Sequence, residues 1–211
     1  EQQSTYLDPN NYDLHPKNNA YQVNKLITRY LKPLLDKRTE HLYIEHYKQQ
    51  HQNVPLWVLI NALTFGTISK MYQYSTSDIQ SSISREFEGV NEGQLRQILQ
   101  VLTDFRNVCA HNERLFSFRC SQHEIPNLPL HKKLNIPMQG TQYLYGKRDF
   151  FAVLLAFRYL LPHKEFIEYK RHLSQLIHKA VAENHQIGEA ELLDLMGFPH
   201  NWKKVTTYRK V

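Results

Sequence analysis

Apolar positions in this chain recur every three or four residues, and no stretch alternates apolar with polar positions. From Asn19 onward Val23, Leu26, Ile27, Tyr30, Leu31, Leu34 and Leu35 keep the period that lines one face of an α-helix. Pro33 kinks that helix or divides it from a second one holding Leu42, Ile44 and Tyr47. Asn53-Val54-Pro55 reads as a helix start, with Leu56, Trp57, Leu59, Ile60 and Leu63 behind it and a stop at Phe65-Gly66-Thr67. Ile68, Met71 and Tyr72 continue a short helix, and Ser77 caps one carrying Ile79, Ile83 and Phe87. Asn91, or Glu92 with Gly93, opens a helix whose inner face is Leu95, Ile98, Leu99, Leu102 and Phe105. Asp149 begins a strongly apolar helix that Pro162 ends. Phe166, Tyr169, Leu173, Leu176, Ile177 and Val181 mark another, and Glu191 to Leu195 a short last one.

Three stretches fall outside this pattern. Residues 1–19 are polar with turn signals at Asp8-Pro9-Asn10-Asn11 and Pro16, which predicts a flexible leading segment. Residues 117–147 hold Pro126, Pro129, Pro137, Gly140 and Gly146, which predicts a long, mostly irregular connection. Lys203, Lys204, Arg209 and Lys210 make residues 203–211 a basic tail. Without strand patterns, hairpin dipeptides or an internal repeat, the expectation is an all-α fold, a single multi-helix bundle domain over residues 20–202.

Composition narrows the function. At 211 residues the chain can bury roughly 70% of its unfolded surface, so it needs neither disulfides nor a metal to fold. Thirteen tyrosines and ten phenylalanines argue against disorder. The two cysteines form no CxxC pair, which fits a cytoplasmic protein, and no apolar run approaches the ~20 residues of a membrane span. The first residue, Glu1, is not Met, so the chain reads as a piece of a longer protein. A net charge of +6 and a pI near 9.2 raise the expectation of a polyanionic partner, nucleic acid first.

The densest polar stretch ends the helix opened at Asn91. In residues 102–116, Arg106, Asn107, His111, Asn112, Glu113 and Arg114 crowd together with only Val108, Cys109 and Ala110 between them. An arginine fork binds a phosphate and stabilises charge developing on it, and a histidine moves a proton near neutral pH. Spacing alone also fits surface ion pairs and a helix C-cap, and Arg158 with His163 repeats it elsewhere in the chain. Three features favour the first pair: Asn107 beside the arginine, the long helix that delivers it, and the density of polar groups around it.

Other chemistry has less support. His41, His46 and His51 are spaced by five, not by the three or four that put metal ligands on one helical face, so no metal or cofactor is expected. Cys109 reads as a small core residue. No phosphate-binding glycine loop is present. Tyr72, Tyr74, Tyr143 and Tyr145 with Lys70, Lys147 and Arg148 could stack on and neutralise single-stranded RNA, or be half-buried boundary positions.

Arg106-Asn107-Val108-Cys109-Ala110-His111-Asn112-Glu113-Arg114-Leu115 resembles the signature of the Abi-like (abortive infection, AbiD/AbiF type) proteins. Val54-Pro55-Leu56-Trp57, then Leu63 to Tyr72, resembles that family's Pro-x-Trp and Phe-Gly-x-x-Ser-Lys-x-Tyr segments, and Met196-Gly197-Phe198-Pro199-x-x-Trp202 its close. The resemblance implies the HEPN group of helical ribonucleases: a metal-independent endoribonuclease of antiphage defence or toxin–antitoxin control. It places Arg106 and His111 as catalytic and Asn107 as supporting. Arg114 and Asn112 beside them are further candidate RNA contacts. The resemblance further implies a homodimer with a composite site and, for some members, an inhibitory antitoxin RNA. Family members usually carry a further helical segment ahead of the part matched by residues 20–50, which this chain is expected to lack. The alternative is an RNA-binding or interaction module of a defence system that grips RNA without cutting it.

Overall fold

The protein is described here by a computed structural model covering residues 2–15, 17–184 and 186–210. The expected all-α fold is what the chain adopts. Its strands among the described residues are two short antiparallel segments, β1 Met138–Gln139 and β2 Gln142–Tyr143, with Met138 opposite Tyr143. Within the chain, contacts group into two compact units, residues 1–83 and 84–211.

The first unit begins with α1 Gln3–Leu7 and a 3-10 turn at Pro9–Asn11. Within this leading segment Tyr6 and Tyr12 are buried. The Tyr6 hydroxyl donates to the Val54 carbonyl at 2.7 Å, and the Tyr12 hydroxyl to the Tyr6 carbonyl at 2.8 Å. Polar composition hid two aromatic anchors. Next come α2 Lys17–Lys25, a π-helical stretch Leu26–Leu31 and α3 Lys32–Asp36. Pro33 explains the wide turn, because it has no N–H and its ring crowds the carbonyl four residues back. The backbone answers with a five-residue bond from Lys32 N–H to the Ile27 carbonyl. Helices α4 Leu42–His51, α5 Leu56–Leu59, α6 Phe65–Tyr74 and α7 Ser77–Ser84 follow, the division between units falling at the end of α7. Val23, Leu26, Leu31, Ile44, Val54 and Leu59 form the first core.

The second unit is built on α8 Glu92–Ala110 and α10 Phe150–Leu160, which pack together. Asn91 caps α8 as expected: its Oδ1 accepts from Gln94 N–H at 2.9 Å, while Gln94 Oε1 accepts from Asn91 N–H at 3.0 Å. Leu95, Ile98, Val101, Leu102, Phe105 and Val108 form the buried stripe of α8. Phe105 stacks on Phe150 at 6.2 Å and meets Phe118 edge-on at 5.0 Å. Asp149 caps α10, accepting from Ala152 N–H at 3.1 Å, and nearly every residue of α10 is buried. Helices α11 His163–Glu183 and α12 Glu189–Met196 complete the layer, α11 packing on both α10 and α12. Residues 117–147 are largely irregular, with α9 Pro129–Lys133 and the two short strands inside them.

The segment after α12 is part of this core. Gly197 takes a left-handed φ of 74°, and a Cβ there would lie 2.4 Å from the Asp149 side chain. Phe198 fills the space between Phe150, Phe151 and the fully buried Trp202. The basic residues 203–211 also carry apolar and backbone anchors. Residues Trp202–Thr206 form a 3-10 helix with Val205 buried, and the Lys210 carbonyl accepts from the Tyr159 hydroxyl at 2.8 Å. Charge alone did not reveal these apolar anchors.

Candidate active site

The polar stretch lies where α8 ends, and the way it ends decides the geometry. Its buried stripe stops at Val108; Arg106 and Asn107 lie on the open side of the last turns, and both are exposed. Cys109 is one residue past the stripe, about 100° further round the axis, and is exposed rather than a core residue. It faces the Tyr169 hydroxyl of α11, which burial first and Cys109 second push up to about 12.

His111 is the C-cap residue, with φ −97° and ψ 9°, and its N–H still bonds the Asn107 carbonyl at 3.0 Å. Asn112 then turns left-handed, φ 54°. Its N–H reaches the Cys109 carbonyl at 3.3 Å, and Glu113 N–H reaches the Val108 carbonyl at 3.0 Å. Those two bonds define a Schellman terminator, in which asparagine is the usual substitute for glycine. The position of Asn112 is therefore explained by the backbone turn it makes, whatever else it touches. The clue in the sequence was an asparagine placed directly after the last helical turn.

The result is a displayed set of donors. Arg106 Nη1 donates to Asn107 Oδ1 at 3.4 Å, its sole side-chain partner among the described residues. His111 is exposed, and no side-chain bond holds its imidazole among the described residues. The Arg114 guanidinium sits over the Phe116 ring at 5.8 Å, with Phe116 itself exposed. The structure thus brings Arg106, Asn107, His111, Asn112 and Arg114 to one open helix end.

Behind this end, α8 is tied to the loop that follows it. His123 Nδ1 lies 2.8 Å from Asp104 Oδ2, a contact that sequence reasoning did not find. Cys120, buried beside Asp104, has its thiol pushed up to about 12 by burial, so it is no nucleophile at neutral pH. Asp149 anchors the other side. Both of its oxygens accept from Gly146 N–H at 3.0 Å, and Arg119 Nη1 donates to Oδ2 at 3.2 Å. Burial pushes Asp149 up to about 6 despite those donors.

Among the described residues no three His, Cys, Asp or Glu side chains are placed to hold a metal ion. The histidines of α4 stack instead: the His46 and His51 rings lie 6.0 Å apart, edge to face, with Tyr47 5.1 Å from His51. The expected tyrosine–lysine set divides between the units, Tyr72 being buried in the first and Tyr143 lining a cleft in the second. No described helix is long and apolar enough to cross a membrane.

An all-α chain that ends its longest apolar-striped helix of the site on an exposed arginine, asparagine and histidine defines a class of helical protein with a polar motif at a helix C-terminus. The pattern of the Abi-like protein family matches residues 2–117, more than half of the chain, and the protein belongs to that family, whose name refers to abortive infection. The match ends just beyond the motif. Comparison with curated proteins and with solved structures gives no match.

Proposed function

We propose that this protein is a metal-independent endoribonuclease of the HEPN type, acting in phage defence through abortive infection or in toxin–antitoxin control. The observation that carries the reading is the exposed trio Arg106, Asn107 and His111, held at a fixed helix end with the imidazole free of side-chain partners among the described residues. A structural role would spend these groups on the fold. Residues 84–211 also carry 18 Lys and Arg against 13 Asp and Glu, so most of the excess positive charge lies in the unit that bears the motif.

The chemistry is displacement at phosphorus. The ribose 2′ oxygen attacks the adjacent phosphorus as one imidazole takes its proton, and the bond to the 5′ oxygen breaks as a second imidazole donates a proton to it. The products are a 2′,3′-cyclic phosphate and a 5′ hydroxyl. Arg106 neutralises the charge growing on the non-bridging oxygens, and Asn107 orients the guanidinium it already touches. Two imidazoles require two copies of the motif, so the site is composite and the active form a two-fold dimer. Arg114 is a peripheral phosphate contact.

The test is RNA incubated in EDTA with the intact protein and with His111→Ala. The expected result is cleavage to 2′,3′-cyclic ends by the first and none by the second. RNA bound equally by both, and cut by neither, would replace the enzyme with a binding module of the same family.

A further inference from the structure

The loop that follows the motif carries a second feature that the reading above does not use. Phe118 packs against Phe105, and His123 bonds Asp104, so residues 118–123 run along α8 on the turns just before Arg106. Arg119 projects from this run into a cleft of about 520 Å³, bordered also by Tyr143, Lys147, Arg148 and Glu124. That volume lies within the range of small-ligand sites and suits a single nucleotide.

Its lining has the parts that hold one. Arg119 and Arg148 keep 47% and 46% of their side chains exposed. Arg119 donates from Nη1 to Asp149, its sole side-chain bond among the described residues, so its guanidinium keeps donors to spare at the cleft edge. Arg148 is aimed by Glu124, at 3.0 Å from Nε, and by the Ser121 carbonyl at 3.1 Å from Nη1. Lys147 is committed elsewhere, donating to the Ile125 carbonyl and to Asn127 Oδ1, so it adds positive field rather than a contact. Tyr143 offers a fixed ring. One face stacks on the fully buried His131 at 4.8 Å and 19°, a backing that holds the ring as a platform at the cleft wall. A guanidinium pair beside a backed aromatic ring is the arrangement that binds an unpaired nucleotide: cations on phosphate, ring on base.

We infer that this cleft holds a nucleotide of the RNA strand flanking the cut, its phosphate against Arg119 and Arg148 and its base on Tyr143. The inference rests on the ribonuclease reading, and it assigns the strand a path from the end of α8 into the loop behind it. Glu124 is the competing anion. It occupies Arg148 when the cleft is empty and yields to phosphate when it is filled.

The experiment measures binding of a fluorescent single-stranded RNA 12-mer to His111→Ala protein, which cannot cut it, across a salt series. Arg148→Gln added to that background is expected to weaken binding several-fold and to lower the salt slope by about 0.7, the loss of one single-strand phosphate contact. Tyr143→Ala should weaken binding roughly tenfold, within the range for loss of one stacked base, while Tyr143→Phe keeps the affinity. Glu124→Gln should tighten binding, a direction that mere structural damage would not produce. Unchanged affinity and slope in Arg148→Gln and Tyr143→Ala, with melting temperatures held, overturns the cleft and leaves cleavage by the intact protein standing. Absence of any RNA binding at low salt overturns the cleft and the ribonuclease together.

Discussion

Two arginine–histidine pairs with the same five-residue step lie in one unit of this protein, and they have opposite fates. Arg158 is buried on α10, where its Nε and Nη2 reach the Val205 and Tyr208 carbonyls at 3.4 Å and its guanidinium lies 5.5 Å from the Phe166 ring centre. Its histidine, His163, stands beyond Pro162 at the start of α11. That arginine fastens the last part of the chain to the core. Arg106 is exposed, bonds only the Asn107 side chain among the described residues, and shares an open helix end with His111. Spacing does not separate the two. What does is whether the polar groups are already used by the fold, because a buried donor must be satisfied whereas an exposed, unspent one is available to a ligand.

The contrast is broken most directly by exchange of the two arginines' losses. Arg106→Ala should reduce RNA cleavage by roughly a hundredfold or more, the scale of losing a charge-stabilising donor, with little change in melting temperature. Arg158→Ala should do the reverse: about 2–4 kcal/mol of stability lost, from vacated carbonyl partners and a lost ring contact, with activity per folded molecule retained. An Arg106 variant that unfolds, or an Arg158 variant that folds normally and fails to cut, would erase the distinction.

A second, smaller effect belongs to the buried side of the comparison. His131 has no exposed surface; its Nε2–H donates to the Gly146 carbonyl at 2.8 Å, and Nδ1 accepts from Leu128 N–H at 3.0 Å. A second proton on Nδ1 would gain the Leu128 carbonyl at 3.2 Å but lose the bond from Leu128 N–H, and burial, the larger effect, holds the ring's pKa below the usual 6.5. The unfolded chain therefore takes up a proton near pH 6.5 that the folded chain refuses. Stability is full above that pH and falls as pH drops through it. Asp149 opposes the fall from about pH 6, since the folded form accepts its proton before the unfolded form does. Melting temperature should thus decline between pH 7 and 6, and His131→Gln should flatten that slope even if it starts lower. A slope that survives the substitution would place the sensitive group elsewhere.

The smallest effect concerns Asn112. As a left-handed cap it should accept glycine with a stability change of a few tenths of a kcal/mol and with cleavage retained. Loss of RNA affinity in Asn112→Gly, without loss of stability, would show this side chain to be an RNA contact as well as a cap.

Much of this arrangement was legible from residues. The caps at Asn91 and Asp149 and the inner stripe of α8 followed from local patterns, because capping and periodicity are decided within a few positions. Tyr6, Tyr12, Val205 and the left-handed turn at Asn112 were not, since their partners lie far away or in backbone geometry. The exposed motif itself was visible, but its meaning depended on the buried fate of Arg158, which only packing could reveal. Cys109 was misplaced by one position on a helix wheel, where 100° separates core from surface.

One feature of the second unit bears on the order of synthesis. Phe198 and Trp202 complete the core that holds α10 against α8, and the Lys210 carbonyl ties down Tyr159. A ribosome makes Arg106 and His111 long before it makes these residues, so a nascent chain holds the motif without the scaffold that fixes it. An enzyme that cuts RNA would be hazardous to the ribosome producing it. On the proposed ribonuclease reading, the cutting residues are therefore synthesised before the residues that hold them in place.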